Sequence, residues 1–140
     1  MLTTDAPEGI ASQTNASAAA APKIIAVLED LLFTVKINEA AKRASVQVRF
    51  VKSEVDALQQ AAESPRLIIL DLNCTSVDPL QLIRALKSSA PASTVPMIGY
   101  VSHVQGELKL QAQQAGCNMV MARSAFSQNL QQIMQRYSAA

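Results

Sequence analysis

The chain has 140 residues, 49% of them apolar and 16% charged, with a formal net charge of +1 and no tryptophan. That length suits one domain with an ordinary core, and the apolar content is too high for a disordered chain. There is no run of Lys and Arg, no interleaving of basic and aromatic residues and no apolar segment long enough to span a bilayer, which argues against direct nucleic-acid or membrane binding.

Residues 1–22 stand apart. They contain Asp5 and Glu8 but no Lys or Arg, and end in a run of alanines. A signal peptide needs a basic start and a strongly apolar stretch. The segment reads instead as a disordered or frayed tail, its alanine run too short for a stable helix. Residues 23–140 read as one domain. Cys74 and Cys117 match no metal spacing and no disulfide framework, so they are expected to be reduced thiols in a cytoplasmic protein.

Lys23 leads into Ile24-Ile25-Ala26-Val27-Leu28, a continuous apolar strand, with Glu29 and Asp30 at its end. Helical spacing follows from Leu31 to Ala44, with Leu32, Phe33, Ile37, Ala40, Ala41 and Ala44 as the apolar stripe. Val46, Val48 and Phe50 alternate with Gln47 and Arg49, the pattern of a half-exposed edge strand. Ser53-Glu54-Val55-Asp56 opens a second helix with a capping pattern. Its stripe is Val55, Leu58 and Ala61 or Ala62, and Pro65 ends it. Leu67-Ile68-Ile69-Leu70 runs unbroken into Asp71, as a strand buried on both faces would. Asp78-Pro79 pairs an N-cap with a first-turn proline and starts a helix to about Ser88. Pro96 opens the strand Met97 to Val101. A helix from about Gln105 to Ala115 stops at Gly116, and Met119 to Ala122 forms the last strand. Ser124 is placed to cap a final helix carrying Phe126, Leu130, Ile133, Met134 and Tyr137 on one face.

Five strands alternating with helices over short connections predict an α/β fold: one doubly wound, five-stranded parallel sheet with helices on both faces. The edge-like second strand and the apolar first and third suit the order 2-1-3-4-5. The crevice then lies beyond strands one and three, where Glu29, Asp30 and Asp71 would converge. Clustered carboxylates stay ionised beside a cation, and a small oxygen-lined site favours Mg²⁺ or Mn²⁺.

Four segments carry a resemblance at this point. They are Lys23 to Asp30, Leu67 to Asn73, Val95 to Ser102 and Gln114 to Arg123. In order and spacing the chain resembles the receiver domain of two-component response regulators, from about Lys23 to Tyr137. The resemblance implies that Asp71 is the phosphoacceptor and that the Asn73 backbone carbonyl binds Mg²⁺, with only its main chain involved. Receivers carry an acidic pair after the first strand. Helical phase favours Leu28 and Glu29 on that pair, leaving Glu29 as the metal ligand. A shift of one residue would use Glu29 and Asp30, but it would turn Thr34 and Asn38 toward the core.

Other positions depart from the family pattern. Val101 stands where receivers have Thr or Ser, with Ser102 beside it. Arg123 stands at the lysine position, free to form a forked ion pair with Asp71. Ser124 replaces a proline, and Val120 the switch aromatic. The resemblance thus implies an atypical receiver or pseudo-receiver: a non-enzymatic signalling module with weakened Mg²⁺ binding. Its partners would be a sensor histidine kinase or phosphotransfer protein and a downstream protein. The last two helices, rich in glutamine, are the expected homodimer or partner face. Without phosphorylation the same domain would serve as an interaction module. A small-ligand binder on a flavodoxin-like fold is disfavoured, because Leu28 to Phe33 contains no glycine for a phosphate loop. His103 reads as a surface loop residue and Cys74 as a small buried thiol.

Overall fold

The computed structural model describes residues 23–102 and 106–138. The tail, His103 and Gln105 lie outside them. The sheet is built from β1 (Lys23–Val27), β2 (Gln47–Val51), β3 (Leu67–Asp71), β4 (Met97–Val101) and β5 (Met119–Ala122). All neighbours are parallel, and the order is β2-β1-β3-β4-β5. This is the expected doubly wound 2-1-3-4-5 sheet. Leu67 to Leu70 are wholly buried, because strands on both sides and helices on both faces enclose them. Burying each such side chain stabilises the fold by about 1.5–3 kcal/mol before entropy is counted.

The helices are α1 (Leu31–Arg43), α2 (Glu54–Ala61), α3 (Pro79–Lys87), α4 (Gly106–Ala115), α5 (Arg123–Gln128) and α6 (Leu130–Arg136), with a 3₁₀ turn at Ala92–Thr94 before β4. One apolar layer joins α2, α3 and α4 to Ile25, Val27, Ile68, Leu70 and Val101. The other joins α1, α5 and α6 to Ile24, Ala26, Ile69, Ile98 and Tyr100. The split follows from strand alternation, which sends successive side chains to opposite faces.

Local sequence sets the ends of these elements. Asp30, Ser53 and Asp78 each accept a backbone N–H as the N-caps of α1, α2 and α3. Gly116 closes α4 at φ +122°, and the Cys117 N–H reaches back to the Ala112 carbonyl. Glycine adopts that left-handed backbone without a Cβ clash.

Three expectations need correction. Leu32 is 65% exposed and Val55 64% exposed; the inward positions are Phe33 in α1 and Ala57 in α2. The phases of both helices are set by the layer they cover, and at each site a smaller or better placed neighbour takes the core. The last helix is not continuous: it starts at Arg123 without a side-chain cap, so Ser124 is no cap, and it breaks at Asn129. Phe126, Leu130 and Met134 still point inward across the break. No helix among the described residues is long and apolar enough to cross a membrane.

Candidate functional site at the carboxyl edge of the sheet

β3 delivers Asp71 to the carboxyl edge of the sheet, between β1 and β4. The chain turns at once, and the Asn73 N–H donates to Asp71 Oδ1 at 2.9 Å. Burial raises the Asp71 pKa. The Asn73 N–H and the charge of Arg123 oppose that rise, and the charges of Asp30 and Glu29 add to it. The Asn73 side chain also matters, contrary to expectation. Its Oδ1 accepts the Ser102 N–H at 2.7 Å, tying the loop after β3 to the end of β4. Ser102 therefore serves this edge through its backbone and is otherwise exposed.

The other two acids follow β1 at the same edge of the sheet, and each is bonded elsewhere. Glu29 is exposed, and its Oε1 accepts from both the Thr75 hydroxyl at 2.6 Å and the Thr75 N–H at 3.2 Å. Those bonds, the hydroxyl's first, lower its pKa. Asp30 divides its carboxylate. Oδ1 caps α1 through the Phe33 N–H at 3.1 Å, and Oδ2 accepts from the Arg123 guanidinium. The Phe33 N–H and then Arg123 lower its pKa. Arg123 also lies over the Phe33 ring, 4.4 Å from its centroid. Its ion-pair partner is thus Asp30 and not Asp71. The short reach from the start of α5 to the cap of α1, and the aromatic face beneath it, account for that choice.

Among the described residues, no three His, Cys, Asp or Glu side chains are grouped to hold a metal ion. The expected convergence of three acids is corrected accordingly, since capping and ion pairing commit Asp30. Leu28, Phe33, Ile37 and Ala40 are buried, and Asn38 is exposed, which is the phase of α1. Asp71, Glu29 and the Asn73 carbonyl would offer hard oxygens of the kind Mg²⁺ prefers. Thr75 would have to share Glu29 with the ion.

Val101 is 2% exposed and packs into the α2–α3–α4 layer, so the β4 end offers no hydroxyl there. Val120 is likewise buried. The neighbouring Tyr100 lies opposite Asp71 in the β3–β4 ladder. Its ring stacks on Phe126 at 4.9 Å and tilts against Phe33 at 5.0 Å. The hydroxyl is buried without a hydrogen bond, as among the described residues is only Gln131 Oε1. Burial and then the Asp71 charge push its pKa up. Sequence reasoning missed both Tyr100 and Thr75. A tyrosine in an apolar strand reads as core, and no spacing signal pairs Thr75 with Glu29. Cys74 and Cys117 are buried free thiols, as expected.

No family model and no curated protein matches the chain. Solved structures do. The phosphorylated cyanobacterial phytochrome response regulator RcpA aligns at TM-score 0.69 and 24% identity, over 84% of this chain and 91% of its own. A receiver domain of a Pseudomonas aeruginosa sensor histidine kinase, with magnesium coordinated in its active-site cleft, aligns at TM-score 0.71 and 21% identity, over 86% and 100%. A Hahella chejuensis response regulator aligns at 0.74 and 19%, over 84% and 95%. The fold is that of response regulator receiver domains. In this fold, Asp71, Asn73, Glu29, Asp30, Ser102 and Arg123 all lie at or just beyond the carboxyl ends of the strands.

Proposed function

We propose that the protein is a receiver-like signalling module of the two-component type, with Asp71 as its phosphoacceptor. One observation carries this reading: a half-buried aspartate ends the central strand of a 2-1-3-4-5 sheet, its Oδ1 fixed by the Asn73 N–H. In the transfer, Oδ2 attacks the phosphorus of a phosphohistidine or an acyl phosphate. The P–N or P–O bond breaks and the leaving group keeps the electron pair, an imidazole taking up a proton and a carboxylate departing as its anion, and Asp71 becomes an acyl phosphate. Asp71, Glu29 and the Asn73 carbonyl are the groups that would hold Mg²⁺, which would supply positive charge beside the transferring group. With Leu28 in place of an acid, that binding would be weak. The phosphodonor is a sensor histidine kinase or phosphotransfer protein. The face formed by α4, β5 and α6, with exposed Leu110 and Met119 among glutamines, supports a downstream partner or homodimer contact.

A second reading, an interaction domain independent of phosphorylation, is favoured by buried Val101 and by the commitment of Arg123 to Asp30. Amide NMR separates the two. Mg²⁺ and then beryllofluoride, a phosphoryl mimic, are titrated into the full chain. The first reading expects shifts at Glu29, Asp71 and Asn73 that vanish in Asp71→Ala. A silent spectrum at millimolar Mg²⁺ overturns it in favour of the second.

A further inference from the structure

Position 101, at the end of β4, offers a phosphorylated aspartate no hydroxyl donor, and the Ser102 side chain beside it is exposed. Val101 is buried in the opposite layer and has none. One residue earlier the chain holds a hydroxyl that nothing in the described structure uses. We propose that the Tyr100 hydroxyl is the donor to the phosphoryl group on Asp71, doing from inside the α1–α5 layer what a threonine at position 101 would do from the strand end. This inference rests on Asp71 being the phosphoacceptor.

Register supplies the first argument. Asp71 and Tyr100 are direct partners on adjacent parallel strands, so both side chains leave the sheet on the same face. Tyr100 belongs to the layer formed with α1, α5 and α6. That face is also the one spanned by the Asp30–Arg123 pair, which joins the start of α1 to the start of α5.

Burial supplies the second. Tyr100 is 1% exposed, and its hydroxyl is buried with no hydrogen-bond partner among the described residues. Buried hydroxyls are normally paired, and one left unpaired marks an unfilled role. Phe33 and Phe126 flank the ring and fix its plane, so the hydroxyl is held in place while unbonded. The Asp71 charge acts on it more strongly than any other. Oxygens added to Asp71 would extend the acceptor toward a donor already ordered, which is preorganised recognition of an anion. The phenol stays protonated there, so it can donate but cannot compete as a nucleophile.

The test uses the full chain with ¹³C-labelled tyrosine, titrated with Mg²⁺ and beryllofluoride. Tyr100 and Tyr137 are the chain's two tyrosines, and a Tyr137→Phe variant assigns their signals. We expect the Tyr100 ¹³Cζ resonance to move with the amide shifts at Asp71, and to stay still in Asp71→Asn. Tyr100→Phe, which keeps the ring, should bind beryllofluoride about 5- to 10-fold more weakly. If amides at Asp71 respond while Tyr100 ¹³Cζ does not and Tyr100→Phe binds unchanged, the inference is overturned and Asp71 remains the phosphoacceptor. If the unaltered chain shows no response at Asp71, both fall. The ¹³Cζ measurement needs no change at Tyr100, so a poorly folding Tyr100→Phe variant does not blunt the test.

Discussion

Arg123 pairs with Asp30, the residue that also caps α1, and among the described residues no cation forms an ion pair with Asp71. The pair links the two helices that flank β1 and β4 on one face. Its side chains are 34% and 31% exposed, so solvent screens it and a double-mutant cycle should give a coupling of only about 0.5–1 kcal/mol. Asp30→Asn preserves the cap and removes the charge, and Arg123→Gln removes the cation. The Asp30 pKa is lowered in the fold. Its contribution is therefore full above the ordinary aspartate value of about 3.9 and is lost as pH falls through the folded value. Denaturant melts of the four cycle members at pH 7 and pH 3 would check both the size and the sign. Coupling absent at pH 7, or growing as the pH falls, would contradict the ion pair.

Asp71 has the opposite sign. Its pKa is raised, chiefly by burial, so its ionised form costs stability in the fold. The folded chain holds the proton more tightly than the unfolded one, and this penalty fades as pH falls through the folded value. Asp71→Asn should raise the melting temperature at pH 7 by roughly 2–4 °C, what about 1 kcal/mol is worth in a domain of this size. The gain should shrink toward pH 4. A variant that melts lower at pH 7 would show that Asp71 is a structural partner and not a strained, functional carboxylate.

Val101→Thr tests the β4 end. The two side chains have nearly one shape, but the site is 2% exposed and lies in an apolar layer. A hydroxyl there costs about 1–2 kcal/mol unless it finds a partner. Beryllofluoride affinity should rise in the same variant, because the hydroxyl gains an acceptor only when the mimic is bound. Stability loss with no gain in affinity would place position 101 outside the crevice.

Two glycines predict losses for different reasons. A Cβ at Gly99 would sit 3.0 Å from Leu72 Cδ1 and 3.3 Å from Cys117 Sγ. Overpacking of this kind costs about 1–3 kcal/mol. A Cβ at Gly116 would meet Lys87 Cγ at 2.6 Å, and its φ of +122° is itself strained for any side chain. Gly116→Ala should be the worse of the pair in thermal melts, because Leu72 can rotate and the backbone of residue 116 cannot.

The fold was readable because the signals agree: apolar runs at Ile24–Leu28 and Leu67–Leu70, an alternating edge strand, and caps at Ser53 and Asp78. Helix phase was readable only where one face is decisively larger. In α2 the short stripe left Val55 and Ala57 to be sorted by the tight space against the sheet, and alanine fits it. The site was legible at Asp71 and less so around it. The strand carries Asp71 to the edge whatever its neighbours do. The partners of Arg123, Glu29 and Asn73 depend on side-chain reach across loops, which no local pattern encodes. Tyr100 was hidden for the reverse reason, since its ring satisfies the strand pattern and says nothing of the hydroxyl.

The two faces of the sheet differ in when they can be covered. The layer containing Ile24, Ala26 and Ile69 takes Phe126, Leu130 and Met134 from the last two helices. These residues emerge from the ribosome about a hundred positions after β1. Until then the nascent sheet has α1 alone over a face that needs two more helices, and apolar strands wait beside an uncovered edge. Parallel pairing already makes such a chain slow to fold. Synthesis thus passes through a window in which this one face is open to chaperones, or to aggregation with its own copies.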